Sequence, residues 1–188
     1  MAKKNLDDIN LDSIDFNKHR ITISRSTKLY RAVYKGADPL TPTGKKSRFA
    51  TEPLGYTMES YQVAYERGVA VLAGTGTNCF CESLPAAILE AGGSLDDKDV
   101  YELIIKLDFD VVDMDSVCKA EGVGKPYITA ERKEIWHKFY GRRIKGLRFE
   151  SSKDYKVYNI VIFPDWFKEF KDYVKIKRIN KDKVNLDE

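Results

Sequence analysis

The sequence predicts a single α+β domain built on a mostly antiparallel, split sheet with short helices. Three observations predict it. Short runs rich in β-branched and aromatic residues, at 21–24, 29–34 and 157–163, read as strands. The helical patterns between them are brief and do not alternate with strands in the regular rhythm of a doubly wound sheet. The chain has 188 residues, enough for one well-buried core but hardly for two, and shows no repeat or low-complexity tract.

Residues 1–17 are polar, rich in Asp and Asn, and read as a loosely held N-terminal arm whose Ile14 and Phe16 can dock. The main domain then runs over 18–180, with a charged tail at 181–188. After the strands at 21–24 and 29–34 comes a stretch from 36 to 53 holding three prolines and two glycines, which predicts loop. A helix is expected over 58–72, with Tyr61, Ala64, Tyr65 and Val69 near one face, although Gly68 weakens it. Residues 78–81 form a short strand. Ser83 can cap the next helix, 84–91, where Pro85 is tolerated in the first turn and Gly92-Gly93 stops it. The period-two pattern over 101–109 predicts one half-buried strand, and 129–139 an amphipathic helix with Ile135, Trp136 and Phe139 inward. Strands at 147–149 and 157–163 flank a polar bend. Pro164 opens a last helix carrying Trp166, Phe167, Phe170 and Tyr173, and 174–179 is a final edge strand.

Composition narrows the function classes. Apolar residues at 43% and charged residues at 32% describe an ordinary globular chain and exclude general disorder. Against 29 acidic side chains, 32 basic ones leave a net charge of +3, too small for a dedicated nucleic-acid binder. No secretory h-region follows the start, and the longest apolar runs, 69–73 and 160–163, are too short to span a bilayer. The expectation is a cytoplasmic protein that does not enter membranes. Cys79-x-Cys81 could offer two ligands on one strand face, but a zinc site needs two more and the only histidines are His19 and His137. Buried reduced thiols are the simpler reading, and three cysteines argue against a disulfide framework.

Familiar motifs are missing. There is no glycine-rich dinucleotide fingerprint after a strand, no phosphate-binding loop ending in Gly-Lys-Ser/Thr, and no Gly-x-Ser-x-Gly elbow. What remains is more particular. Arg31 lies inside the apolar run Leu29-Tyr30-Arg31-Ala32-Val33-Tyr34, where it either snorkels or meets an anion. Arg48 follows a Gly/Lys-rich loop and is either a solvated cation or an anion ligand. Glu90 shares a helix with Ala86, Ala87, Ile88 and Leu89, so an exposed or an inward-facing carboxylate fits equally. Ser151 and Ser152 begin a bend, where serine is common for turn chemistry alone.

In order along the chain, these pieces resemble the RES-domain family, NAD-consuming toxins of bacterial toxin–antitoxin pairs named for an Arg, a Glu and a Ser. Leu29-Tyr30-Arg31-Ala32-Val33 resembles the family's opening strand. Ser47-Arg48-Phe49 is similar to its Gly-Arg-Phe/Trp-Asn loop, with Ser for Gly and Ala50 for Asn. The stretch from Cys79 through Glu82-Ser83-Leu84-Pro85 to Glu90 resembles the strand-to-helix segment that ends in the catalytic glutamate, and 101–114 follows as the family's next strand. Gly146-Leu147-Arg148-Phe149-Glu150-Ser151-Ser152, before Tyr158-Asn159-Ile160-Val161-Ile162-Phe163, resembles the serine segment and closing strand. The likeness covers 28–164, with 51–77 as an insertion. That insertion holds an alternate carboxylate, Glu66, but Glu90 is preferred because the strand at 101–109 follows it at the family's distance.

The resemblance implies an ADP-ribosyltransferase-like fold and cleavage of NAD⁺ at the nicotinamide–ribose bond, by hydrolysis, phosphorolysis or transfer to protein. In that chemistry a carboxylate steadies an oxocarbenium-like ribose, the role expected of Glu90, and the cationic nicotinamide leaves without a general acid. Arg31 and Arg48 suit the pyrophosphate through paired planar donors. Ser151 would bond the nicotinamide side or orient Glu90, and Tyr30 could stack on a ring, although with 11 tyrosines core packing serves any one of them as well. NAD⁺ enters as substrate, no metal is required, and a cognate antitoxin is the expected partner. A different class stays open: Trp136, Phe139, Trp166, Phe167 and Phe170 could form the partner surface of a non-catalytic module.

Overall fold

Alternation along Lys28–Tyr34 decides how the sheet is built. Leu29, Arg31 and Val33 are buried on one face, while Tyr30 and Ala32 are half-buried on the other. In the computed structural model, which describes residues 10–40, 78–123, 144–151, 154, 156–162 and 166–180, this strand (β2) is central. It pairs antiparallel with β4, Lys98–Ile105, over its whole length, from Lys28 opposite Ile104 to Tyr34 opposite Lys98. β4 in turn carries β8, Val174–Ile179, as one edge of the sheet. On its other side β2 meets β3, Asn78–Cys81, at Tyr30 opposite Cys81. β3 pairs with β7, Tyr158–Ile162, and β7 with β6, Gly146–Glu150, both antiparallel. The pairing of β6 with β5, Phe109–Asp113, is parallel, and β1, Arg20–Ile23, closes the far edge antiparallel to β5. The eight strands among the described residues thus form one ladder in the order β1-β5-β6-β7-β3-β2-β4-β8. The α+β class expected from the sequence is the class observed.

Helices cover both faces. The side of the sheet that carries Leu29, Phe80, Leu103, Phe109 and Ile160 buries Trp166 and Phe170, which belong to the segment of helix α3, Phe167–Tyr173. Phe170 lies 5.5 Å from the ring of Phe80 on β3 and 5.8 Å from that of Phe109 on β5. A flat sheet would hold β3 and β5 about 14 Å apart, three strand spacings. One phenyl ring reaches both, so this face is concave and curls around α3. The opposite face carries the other two described α-helices. Helix α1, Leu84–Glu90, sets Ala86 and Ala87 against Cys81, Tyr30 and Val157. Helix α2, Met114–Ala120, sets Met114, Val117 and Cys118 against Val112, Leu147, Phe149 and Val161. Ile14 and Phe16 pack on the same cluster, tying down the end of the arm.

The predicted strand over 101–109 requires correction. It is two strands, β4 and β5, which begin and end elsewhere and lie five places apart in the sheet. The apolar alternation runs on through Leu107, but Leu107 is 52% exposed. The Lys106 amide makes the last bond of the β4–β8 register, to Tyr173 O, and beyond it the Asp108 carboxylate accepts from the Arg25 amide as the chain leaves β4. The stretch 101–114, read as one strand in the family's pattern, also ends in the unforeseen helix α2. Asp113 caps it by accepting from the Asp115 amide at 3.1 Å. The helices expected over 58–72 and 129–139, the insertion at 51–77, the tail at 181–188 and the residues Arg48, Glu66 and His137 lie outside the described residues.

Candidate active site

Helix α1 ends at Glu90. Ser83 starts it, its Oγ accepting from the Ala86 amide, with Pro85 in the first turn where no amide is needed. Gly92 and Gly93 stop it at φ +105° and +80°, conformations that favour glycine, and the Gly93 amide returns to Ile88 O at 2.9 Å. Glu90 is therefore in the last turn, three and four residues beyond the buried Ala87 and Ala86, on the side of the helix that meets the sheet. An acidic side chain near a helix C-terminus is electrostatically misplaced by about 0.3–1 kcal/mol, so something else must hold it there.

Two neutral donors do so. Ser151 Oγ donates to Glu90 Oε1 at 2.8 Å, and Asn159 Nδ2 donates to the same oxygen at 3.0 Å. Ser151, 5% exposed, stands one residue beyond β6, where its amide donates to Val157 O at 2.7 Å and fixes the bend. Asn159, 1% exposed, lies on β7 opposite both Cys81 and Phe149, on the face covered by α1. The half-buried Glu90 thus keeps its carboxylate between a helix and the middle of the sheet.

Of the residues singled out in the sequence, the structure brings Glu90 and Ser151 together and puts Tyr30 on the same face, against α1. The Tyr30 hydroxyl donates to Glu102 Oε2 at 3.4 Å, and burial, then the Glu102 carboxylate, hold the phenol above its ordinary pKa. Lys28 completes this group at 3.1 Å from Glu102. Arg31 leaves β2 from the other face. It is 3% exposed, its Nη1 donates to Pro39 O at 2.6 Å, and its guanidinium lies 5.4 Å from the centre of the Phe80 ring. Sequence reasoning missed Asn159. The signal was present, because an amide inside the strand Tyr158-Asn159-Ile160-Val161-Ile162 is costly to bury without a partner.

Other features stand apart from this cluster. Cys81 and Cys118 are buried in separate apolar clusters. Among the described residues, no three His, Cys, Asp or Glu side chains converge as a metal site would need, and no helix is long and apolar enough to cross a membrane. A cleft of about 280 Å³ opens beside β5, lined by Arg20, Asp108, Asp110, Val112, Ile144 and Lys145, and none of the Glu90 cluster lines it.

The protein so described belongs to a class defined by shape: an α+β fold with one curled, mostly antiparallel sheet and short helices on both faces. A chain in the crystal structure of the M. tuberculosis MbcT–MbcA toxin–antitoxin complex shares that shape, with a TM-score of 0.55 over 88% of this chain and 90% of that one. Sequence identity between them is 12%, so the likeness is one of fold. No protein-family model matches the sequence, and no curated protein does either.

Proposed function

We propose that this protein consumes NAD⁺ by breaking the bond between nicotinamide and ribose C1′, with Glu90 as the carboxylate that steadies the reacting ribose. The observation that carries the reading is the pair of hydrogen bonds to Glu90 Oε1 from Ser151 and Asn159. Two donors on one oxygen aim the carboxylate, and oxocarbenium stabilisation demands an aimed carboxylate. The order of the sequence motifs and the likeness of fold to a chain of a toxin–antitoxin complex support the same reading.

In this scheme the C1′–N bond breaks and its electron pair leaves with nicotinamide, which departs neutral. An oxygen of water or phosphate bonds to C1′, and a proton of that acceptor is released to solvent. Glu90 lies against the positively charged ribose, Ser151 orients Glu90, and Tyr30 lines the same side of the sheet. Arg48 is assigned to the pyrophosphate. Arg31 supports it by holding Pro39, at the head of the segment that leads to Arg48. The physiological role is that of a toxin, and its partner is a cognate antitoxin that covers the site.

The test is nicotinamide release from NAD⁺ by purified protein, with and without phosphate, beside Glu90→Ala and Glu66→Ala. Release lost in Glu90→Ala and kept in Glu66→Ala is the expected result, and dependence on phosphate names the acceptor. Label passing from NAD⁺ onto protein would assign the site to ADP-ribosyl transfer. Absence of both release and transfer refutes the reading in favour of a binding module.

A further inference from the structure

We infer that Asn159 is a positioning residue for Glu90, setting the plane of its carboxylate; the inference rests on the reading of Glu90 as the reacting carboxylate. Asn159 is flanked on β7 by Ile160, Val161 and Ile162, each fully buried, and is itself 1% exposed. An amide there costs stability unless it is hydrogen-bonded, and a Val or Ile would continue the strand at no such cost. Its Nδ2 directs a donor at Glu90 Oε1, 69 residues away in sequence.

The two donors on that oxygen are not equivalent. The Ser151 hydroxyl is both donor and acceptor, and its hydrogen can rotate to serve either a carboxylate or a carboxylic acid. The Asn159 amide nitrogen can only donate. With its nitrogen 3.0 Å from Oε1 it requires that oxygen to accept, and so fixes which oxygen of Glu90 faces β7. Two donors from different elements, one at the bend after β6 and one on β7, also fix the carboxylate against rotation about its last torsion. Asn159 acts on Glu90 and does not itself meet the ribose.

The test compares Asn159→Ala and Asn159→Asp with wild type in nicotinamide release, measured as kcat and KM across pH. Asn159→Ala should lower kcat by about 10- to 100-fold with KM for NAD⁺ nearly unchanged, the loss of one charge-assisted hydrogen bond felt at the reacting carboxylate. Asn159→Asp keeps the volume and sets a second carboxylate against Glu90. Its activity relative to wild type should rise as pH falls, because the introduced carboxyl, once protonated, can again donate to Oε1. The ionisable groups on the surrounding elements include Tyr30 and Lys28 on β2, Glu102 on β4, Cys81 on β3, Glu82 just before α1, Arg148 and Glu150 on β6, Tyr158 on β7 and Asp115 on α2. They are the same in wild type, so comparison at each pH cancels their titration.

A wild-type kcat in Asn159→Ala, or a fractional loss in Asn159→Asp that is flat with pH, overturns the inference and leaves the reading of Glu90 standing. A wild-type protein that releases no nicotinamide overturns that reading itself. If neither variant folds, Asn159→Ser, whose shorter side chain withdraws the donor from Oε1, should lower kcat likewise; a folded serine variant with wild-type kcat overturns the inference.

Discussion

Removing the Ser151 hydroxyl should cost both activity and stability, by amounts that the geometry sets. Ser151→Ala deletes a 2.8 Å hydrogen bond to Glu90 Oε1 and leaves the local backbone as it was, because the Ser151 amide still donates to Val157 O and holds the bend. A hydrogen bond to a charged group is worth about 1.5–3 kcal/mol, and a half-buried Glu90 with Asn159 still in place argues for the lower part of that range. About 1.5–2 kcal/mol at the transition state is a drop of roughly 10- to 30-fold in kcat/KM. In the ground state, the same loss lowers the melting temperature by about 3–8 °C for a domain of this size. Nicotinamide release reads the first quantity and thermal unfolding followed by circular dichroism reads the second. A variant with unchanged activity and a lowered melting point would make the contact purely structural. A variant unchanged in both would mean that the Ser151–Glu90 bond contributes nothing, and the argument for the site would fall with it.

Further outcomes follow from other parts of the molecule. Gly146→Ala would drive its methyl group into the carbonyl oxygen of Val161 on the neighbouring strand, so it should destabilise by about 1–3 kcal/mol, read as a shift in the urea midpoint. Phe170→Ala empties the centre of the concave face, where the ring is 1% exposed, and should cost about 3–5 kcal/mol in the same assay. Arg31→Met keeps the stem's packing but deletes the bond to Pro39 O, and a loss of stability of about 1–3 kcal/mol is expected, read as a lowered urea midpoint; an unchanged midpoint would deny that contact any weight. Tyr30 titrates above its ordinary value of 10.0, so the stability tied to its neutral phenol is intact below that pH and lost as pH rises through the raised value. Glu102→Gln should lower the titration of this phenol, as followed by ultraviolet difference absorption.

Local rules made much of this fold legible. The strand at Lys28–Tyr34 could be read because a half-buried strand alternates, and helix α1 because Ser83, Pro85 and the Gly92-Gly93 pair punctuate it. The division of 101–113 into two strands could not. Leu107 continues the apolar alternation, and only its exposure and the contact of Asp108 with Arg25, distant in sequence, reveal the turn. Helix α2 was hidden by the same pattern, although Met114, Val117 and Cys118 already stand at helical spacing. At the site, Glu90 and Ser151 were visible as members of motifs. Their meeting was not, since it depends on β6 and β7 lying between β5 and β3. Asn159 was overlooked because a polar residue in a strand reads as a solvent-facing one until both faces of the sheet are known to be covered.

The strand order also governs how the protein can be made. β6 and β7 occupy the middle of the sheet, yet of the described strands only β8 follows them out of the ribosome. Until they emerge, β1 with β5 and β3 with β2 and β4 are separate blocks, and the facing edges of β5 and β3 are open to wrong pairings. Ser151 and Asn159 trail Glu90 by 61 and 69 residues, so the carboxylate waits through much of synthesis without them. A chain cut short before β7 is therefore an aggregation hazard, and the cluster around Glu90 belongs to the finished molecule alone.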